Sequence, residues 1–199
     1  LTQSAGGGTT LLTGAVNTDG ATGVALTTSV ITANNTITTT NAGTVTFTNA
    51  GLLTLNGNIT SDGAVVQNGA GATSITSPRT ITTTGDAVSF ATGVTLNGAG
   101  TTSINTTSGS ATGANVTFSS TLTGTTTDVE HLTVNAGSGG NVLFTGAVGG
   151  TRLGDIVITN ANNVTESAGV TAKSLTQSAG GGTTLLTGAV NTDGATGVA

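Results

Sequence analysis

The most constraining feature of the chain is a duplication at its two ends. Residues 1–25, LTQSAGGGTTLLTGAVNTDGATGVA, recur without a change as residues 175–199. We interpret residues 1–174 as one full tandem repeat unit and residues 175–199 as the start of the next, identical one, within a longer natural protein. Tandem repeats are typical of folds in which each unit contacts only its neighbours. The duplication therefore predicts an elongated stack.

The residue types favour strands and turns. Threonine is the most abundant residue, and its branched β-carbon, like those of valine and isoleucine, suits a pleated strand. The 33 glycines and pairs such as Asn56-Gly57 and Asn97-Gly98 supply turns. With only four phenylalanines and no tryptophan or tyrosine, a thin core fits better than a compact one. These residue types predict an all-β chain.

A short alternating pattern predicts how the strands stack. Four segments place valine and phenylalanine on one face: residues 44–47, 87–90, 115–118 and 141–144. Residues 9–12 align with the last of them because the letters TGAV follow both. The spacing predicts a parallel β-solenoid of about eight coils per 174-residue repeat, roughly 22 residues each. The remaining coils are expected near residues 29–31, 65–66 and 156–158.

Turn chemistry leaves a second architecture open. Asn-Gly and Asp-Gly pairs are also typical of two-residue hairpins. A tandem antiparallel β-sandwich is therefore the alternative, which the repeat within a repeat disfavours.

Charge and composition exclude several partners. The net charge is −5 and only three residues are basic, so no nucleic acid partner is expected. No run of about 18 apolar residues occurs, which predicts no membrane span in this fragment. Without cysteine there is no thiol chemistry.

Three runs carry a resemblance to a known class of proteins: GGNVLFTGAVGG at 139–150, NVTFSSTLTG at 115–124 and the stretch from DIVITNANNV onward at 155–190. They resemble the β-strand repeats of giant bacterial surface exoproteins, the filamentous-haemagglutinin-like and autotransporter-like adhesins. The resemblance covers the whole chain through a loose x-V-x-F pattern. It implies a parallel β-solenoid, export to the cell surface and a stalk, adhesive or matrix role. It carries over no catalytic residue.

Catalytic, cofactor and metal sites are not predicted. Asp128, Glu130 and His131 form the one tight cluster. In a strand, Asp128 and Glu130 would face one side and His131 the other, which disfavours a shared metal, so the cluster is interpreted as a solvated loop after residues 125–127. The glycine-rich stretches at 6–8 and 137–140 lack the acids of calcium-binding repeats and the lysine of phosphate-binding loops. Asp86, Asp155 and Glu166 lie far apart in sequence, so a polysaccharide-cleaving enzyme is disfavoured.

Two binding roles remain as alternatives. Thr-x-Thr triplets at 36–38, 44–46, 80–82 and 121–123 suggest an ice-binding face, but their spacing is irregular along the sequence. Loops at 108–114 and 125–128 suggest a module that binds cell-surface glycans.

The preferred hypothesis is a structural or adhesive segment of a long extracellular bacterial surface protein. It predicts self-association, both end to end and laterally, into a rod, filament, sheath or matrix, because low charge provides little repulsion between rods.

Overall fold

The structure, a computed structural model, describes residues 1–199 as a stack of β-strands with no helix. Every strand pair is parallel, and each strand pairs with one that lies a full coil away in the sequence. The predicted parallel β-solenoid is therefore confirmed, and the antiparallel sandwich is wrong. No helix of this structure is long and apolar enough to cross a membrane.

The chain forms 24 strands in sequence order. They are β1 Thr2–Gln3, β2 Thr9–Leu12, β3 Val16–Thr18, β4 Val24–Thr28, β5 Val30–Ala33, β6 Ile37–Thr39, β7 Val45–Asn49, β8 Leu53–Leu55, β9 Ile59–Ser61, β10 Val65–Gln67, β11 Thr73–Thr76, β12 Arg79–Thr83, β13 Val88–Phe90, β14 Val94–Asn97, β15 Gly100–Asn105, β16 Val116–Phe118, β17 Leu122–Thr123, β18 Glu130–Asn135, β19 Val142–Phe144, β20 Val148–Asn160, β21 Val164–Glu166, β22 Gly169–Gln177, β23 Thr184–Leu186 and β24 Ala189–Thr192.

These strands build three faces and nine coils, each coil beginning on face 1. Face 1 is the nine-stranded sheet β1-β4-β7-β10-β13-β16-β19-β21-β23. Face 2 runs from β2 through β5, β8, β11, β14 and β17 into the start of β20, and continues through the start of β22 to β24. Face 3 runs from β3 through β6, β9, β12, β15 and β18 to the ends of β20 and β22. The long strands β20 and β22 pass around the corner between faces 2 and 3.

The core consists of columns of like residues. On face 1, valines stack from Val24 to Val164, one per coil. On face 3, isoleucines stack from Ile37 to Ile104. All of them are 3% exposed or less, and each buried side chain of this size contributes about 1.5–3 kcal/mol. The period-2 alternation of each strand places these residues inward and the small or polar ones outward.

The coil count agrees with the expectation, but one alignment differs. Leu12 lies on face 2 of the first coil, whereas its duplicate Leu186 lies on face 1 of the ninth. One repeat thus spans eight coils less one face, or about 23 residues per coil. The expected alignment of residues 9–12 with 141–144 is wrong for the first copy, and correct for the second, where β23 follows β19 and β21 on face 1. Of the three expected intervening coils, residues 65–66 lie on face 1, but 29–31 and 156–158 belong to faces 2 and 3.

Candidate functional site

In the acidic cluster, Glu130 and His131 belong to a strand rather than to a solvated loop. Glu130 opens β18 with its side chain fully buried, so the loop interpretation is wrong at this residue. Its carboxylate accepts hydrogen bonds from the Thr125 hydroxyl (2.7 Å) and the Thr126 N–H (3.1 Å). A buried carboxylate needs such donors to offset its lost hydration. Alternation turns His131 to the outside, as expected, and Asp128 remains in the preceding turn.

On the outward side of face 3, His131, Asp155 and Ser174 lie next to one another on three successive coils. The His131 Nδ1 atom accepts the Asp155 N–H at 2.8 Å and lies 3.4 Å from the Asp155 carboxylate. The Ser174 hydroxyl donates to that carboxylate at 2.7 Å instead of to the imidazole. A nucleophilic serine requires a hydrogen bond to the base. This column therefore contains the residue types of a triad without its geometry.

Glu166 occupies a core position in the face 1 column that holds phenylalanine on four other coils. Its carboxylate accepts the N–H groups of Ala168 (2.6 Å), Gly169 and Gly188 (3.2 Å). Because Glu166 points into the core and Asp155 points outward, the two do not share a site. Asp86 lies in the turn before β13, on an earlier coil. The structure therefore does not bring Asp86, Asp155 and Glu166 together.

One carboxyl group has a clearly shifted pKa. The Ala42 N–H donates to Asp62 at 2.8 Å and the Thr84 hydroxyl donates at 2.8 Å, and these bonds lower the pKa of Asp62. A lowered pKa stabilises the fold above the ordinary pKa of aspartate, and this contribution disappears as the pH falls through the lowered value. The Asp62 carboxyl group connects three successive coils at one corner, so its role is structural.

Face 3 presents two outward columns of hydroxyl and amide groups, which we call the hydroxyl face. It contributes one pair per coil over five successive coils: Thr36 and Thr38, Asn58 and Thr60, Thr80 and Thr82, Ser103 and Asn105, Thr133 and Asn135. Strand spacing sets a constant separation of about 4.8 Å between pairs. Two of the four Thr-x-Thr triplets lie here, while residues 44–46 lie on face 1 and residues 121–123 on face 2. The irregular sequence spacing is therefore compatible with regular spacing in space.

Face 1 carries an uncharged groove of about 420 Å³ near its C-terminal end, the amide groove. Asn115, Asn141 and Asn163 line one side, each accepting a backbone N–H of the next coil at 2.8–3.1 Å. Leu143 and Leu185 line the other side. The groove offers amide groups and apolar surface without charge. The loops expected to bind glycans, at 108–114 and 125–128, are mostly exposed bends outside it.

Both ends of the solenoid have open strands. β1, β2 and β3 have a neighbour on one side only, as do β23 and β24. At the C-terminal end, Leu175, Leu186 and Val198 line a concavity of about 600 Å³ where the core meets solvent. Unpaired strand edges are ready templates for further strands.

The duplicated glycines distinguish the two ends. A Cβ atom on Gly182, Gly188 or Gly194 of the second copy would lie within 3.0 Å of the coil beneath, in contact with backbone in all three cases. The same positions in the first copy, Gly8, Gly14 and Gly20, have nothing within 4 Å of a Cβ. Glycine is required there only when another coil lies underneath. The two copies thus have the same glycines in different surroundings: the second rests on a coil and the first does not.

Comparison with known proteins does not add to this description: no family model, no curated protein and no solved structure matches the chain.

Proposed function

We propose that the chain is a structural or adhesive segment of a long extracellular bacterial surface protein, in which coils stack without interruption from one repeat to the next. The observation that carries the proposal is the set of three glycines, Gly8, Gly14 and Gly20, which close packing does not require in the first coil and does require in its duplicate. A polypeptide in which the first coil also rests on a preceding coil accounts for both copies.

The lateral surface supports association between rods. The hydroxyl face consists of threonine, serine and asparagine, and no charged side chain lines the amide groove; Arg79 borders the hydroxyl face beside Thr36 and Asn58. Such surfaces hydrogen-bond to one another directly or through water, with little charge repulsion. The same chemistry suits neutral glycans on a cell surface, which gives the adhesive form of the proposal. A glycan array probed with the chain distinguishes adhesion from a purely structural role.

We expect the 199-residue chain to associate end to end, and Gly14→Ala to reduce that association without changing stability. A Cβ on Gly14 contacts nothing within the chain, whereas on the duplicate Gly188 it meets the Ala168 backbone of the coil beneath. The added methyl group therefore obstructs only an incoming coil. Sedimentation velocity over a concentration series measures the association, and urea denaturation measures the stability.

Gly150→Ala is the matched control, because its Cβ would make an ordinary 3.4 Å contact with Thr123 in the middle of the rod. It should associate like the unmodified protein. A chain that stays monomeric at high concentration, or a Gly14→Ala variant that associates normally, contradicts stacking at this end.

A second candidate function, the binding of ice, is favoured by the hydroxyl face. Its paired side chains repeat at a constant separation over five coils, which is the arrangement that an ordered water layer requires. On this hypothesis the chain produces thermal hysteresis, the double variant Thr60→Lys/Thr82→Lys abolishes it, and Ser89→Lys on face 1 leaves it intact. Absence of hysteresis in the unmodified chain eliminates this candidate.

A further inference from the structure

Each copy of the duplicated segment forms one turn of the solenoid, and the two turns have the same internal geometry. In the first copy, the Leu1 nitrogen donates to Gly23 O at 2.7 Å and the Ala25 N–H donates to Leu1 O at 2.9 Å. The equivalent bonds in the second copy, from Leu175 to Gly197 and from Ala199 to Leu175, measure 2.9 and 3.0 Å.

A side-chain contact inside the coil is also repeated. The Thr10 hydroxyl donates to Gln3 Oε1 at 2.5 Å, and the Thr184 hydroxyl donates to Gln177 Oε1 at 2.5 Å. The internal geometry is therefore a property of the 25 residues, independent of which coils surround them.

The two copies nevertheless occupy different faces. Residues 9–12 form β2 on face 2 beside β5, whereas residues 184–186 form β23 on face 1 beside β21. Likewise β3 lies on face 3 beside β6, while the equivalent β24 lies on face 2 beside β22. Relative to the coils between them, the second copy is turned by one face.

We propose that successive repeats are related by a screw operation: each repeat advances the rod by about 37 Å, from a coil rise of about 4.8 Å, and turns its surfaces by one third of a turn. This inference rests on the proposed tandem array. Three repeats return each surface to its starting face. The hydroxyl face and the amide groove then recur on all three sides of the rod. A neighbouring rod or a ligand can therefore contact these surfaces from any direction and on several repeats at once.

Engineered disulfides test the placement of each copy in the 199-residue chain, which contains no cysteine of its own. Adjacent parallel strands bring paired Cα atoms within the range of a disulfide. Leu11 pairs with Thr32 on face 2, and Leu185, the duplicate of Leu11, pairs with Thr165 on face 1. We expect Leu11→Cys/Thr32→Cys and Thr165→Cys/Leu185→Cys each to lose both free thiols on mild oxidation, as measured by thiol titration and intact mass.

Two further pairs make the result decisive. Thr171→Cys/Leu185→Cys would join the second copy to face 2, so it should retain its thiols if the copies differ by one face. Thr46→Cys/Val66→Cys, between adjacent interior strands, is the positive control. If the control oxidises and the 171/185 pair closes instead of 165/185, or either of the first two pairs stays reduced, the screw is overturned. These cross-links form within one chain, so they can succeed or fail independently of the association that tests the array.

Discussion

Phe118→Ala is expected to lower the free energy of unfolding by about 3–5 kcal/mol, among the largest effects of any single substitution in this chain. Phe118 is 1% exposed and stacks between Phe90 and Phe144, with ring centroids 5.5 and 5.3 Å away. The substitution removes both stacking contacts and leaves a cavity bordered by strands that are fixed from above and below. Because the ladder hydrogen bonds hold the coil spacing, the site has little room to collapse.

Thr117→Ala provides the matched control, since Thr117 is the outward neighbour of Phe118 on the same strand. Its loss should change stability by no more than about 0.5 kcal/mol, the usual size for surface positions. Urea denaturation followed by far-ultraviolet circular dichroism measures both variants. Equal effects of the two substitutions would mean that the phenylalanine column does not stabilise the solenoid.

The part of the fold that could be predicted from the sequence depends on alternation. Segments such as residues 115–118 place one apolar residue at every second position, and the structure turns both Val116 and Phe118 inward. Residues of the same type on neighbouring coils then stack, since each coil places such a residue at the same inward position. The all-β class and the parallel pairing of its strands follow from this pattern together with the duplication.

Coils with a polar residue in the core could not be predicted in the same way. Gln67 and Glu166 occupy the column that phenylalanine fills on other coils, and both are 1% exposed. The cost of burying them is offset mainly by backbone groups of the bend that follows on the same coil, where the Gln67 amide donates to Gly69 O and Gly71 O. A search for apolar landmarks passes over such positions because the residues are polar and their compensating partners are backbone groups, which the residue types do not reveal.

The regular surface was hidden by unequal coil lengths. Successive face 1 valines are 20 residues apart between Val45 and Val65, but 28 apart between Val88 and Val116. Extra residues are accommodated in the bends, such as residues 106–115, while strand pairing keeps the register. Constant spacing in the structure therefore does not require constant spacing in the sequence. The hydroxyl face is the clearest result of this difference.

The burial of Glu130 could not be predicted for a related reason. Glu130 lies next to exposed threonines in the sequence, which suggested solvent. It is the hydroxyl of Thr125 and the N–H of Thr126, folded back over the strand end, that make burial of this carboxylate possible.

Gly71→Ala is the second substitution with a large expected effect, a loss of about 3–5 kcal/mol when the cost of overpacking is added to that of a broken buried hydrogen bond. Alanine is compatible with the backbone conformation, since Gly71 does not have a positive φ. The obstacle is the coil beneath: a Cβ on Gly71 would overlap the carbonyl group of Gly51.

Gly71 cannot move aside to relieve this overlap, because its own backbone is held from several directions. Its N–H donates to Asn49 O at 2.9 Å, and its carbonyl accepts the Asn49 amide at 3.0 Å, the Gln67 amide at 3.1 Å and the Thr92 hydroxyl at 2.6 Å. Asn49 and Gln67 are both buried, so any shift leaves polar groups without partners and without water.

Comparison with Gly150→Ala separates this cost from the general effect of adding a methyl group, since that Cβ has ordinary van der Waals contacts. Urea denaturation should show a marked loss for Gly71→Ala and almost none for Gly150→Ala. If the two variants prove equally stable, the corner between faces 1 and 2 can expand by the width of a methyl group. In that case close stacking of backbone on backbone would not be what holds successive coils together, and the glycine argument for a coil beneath the first copy would lose its physical basis.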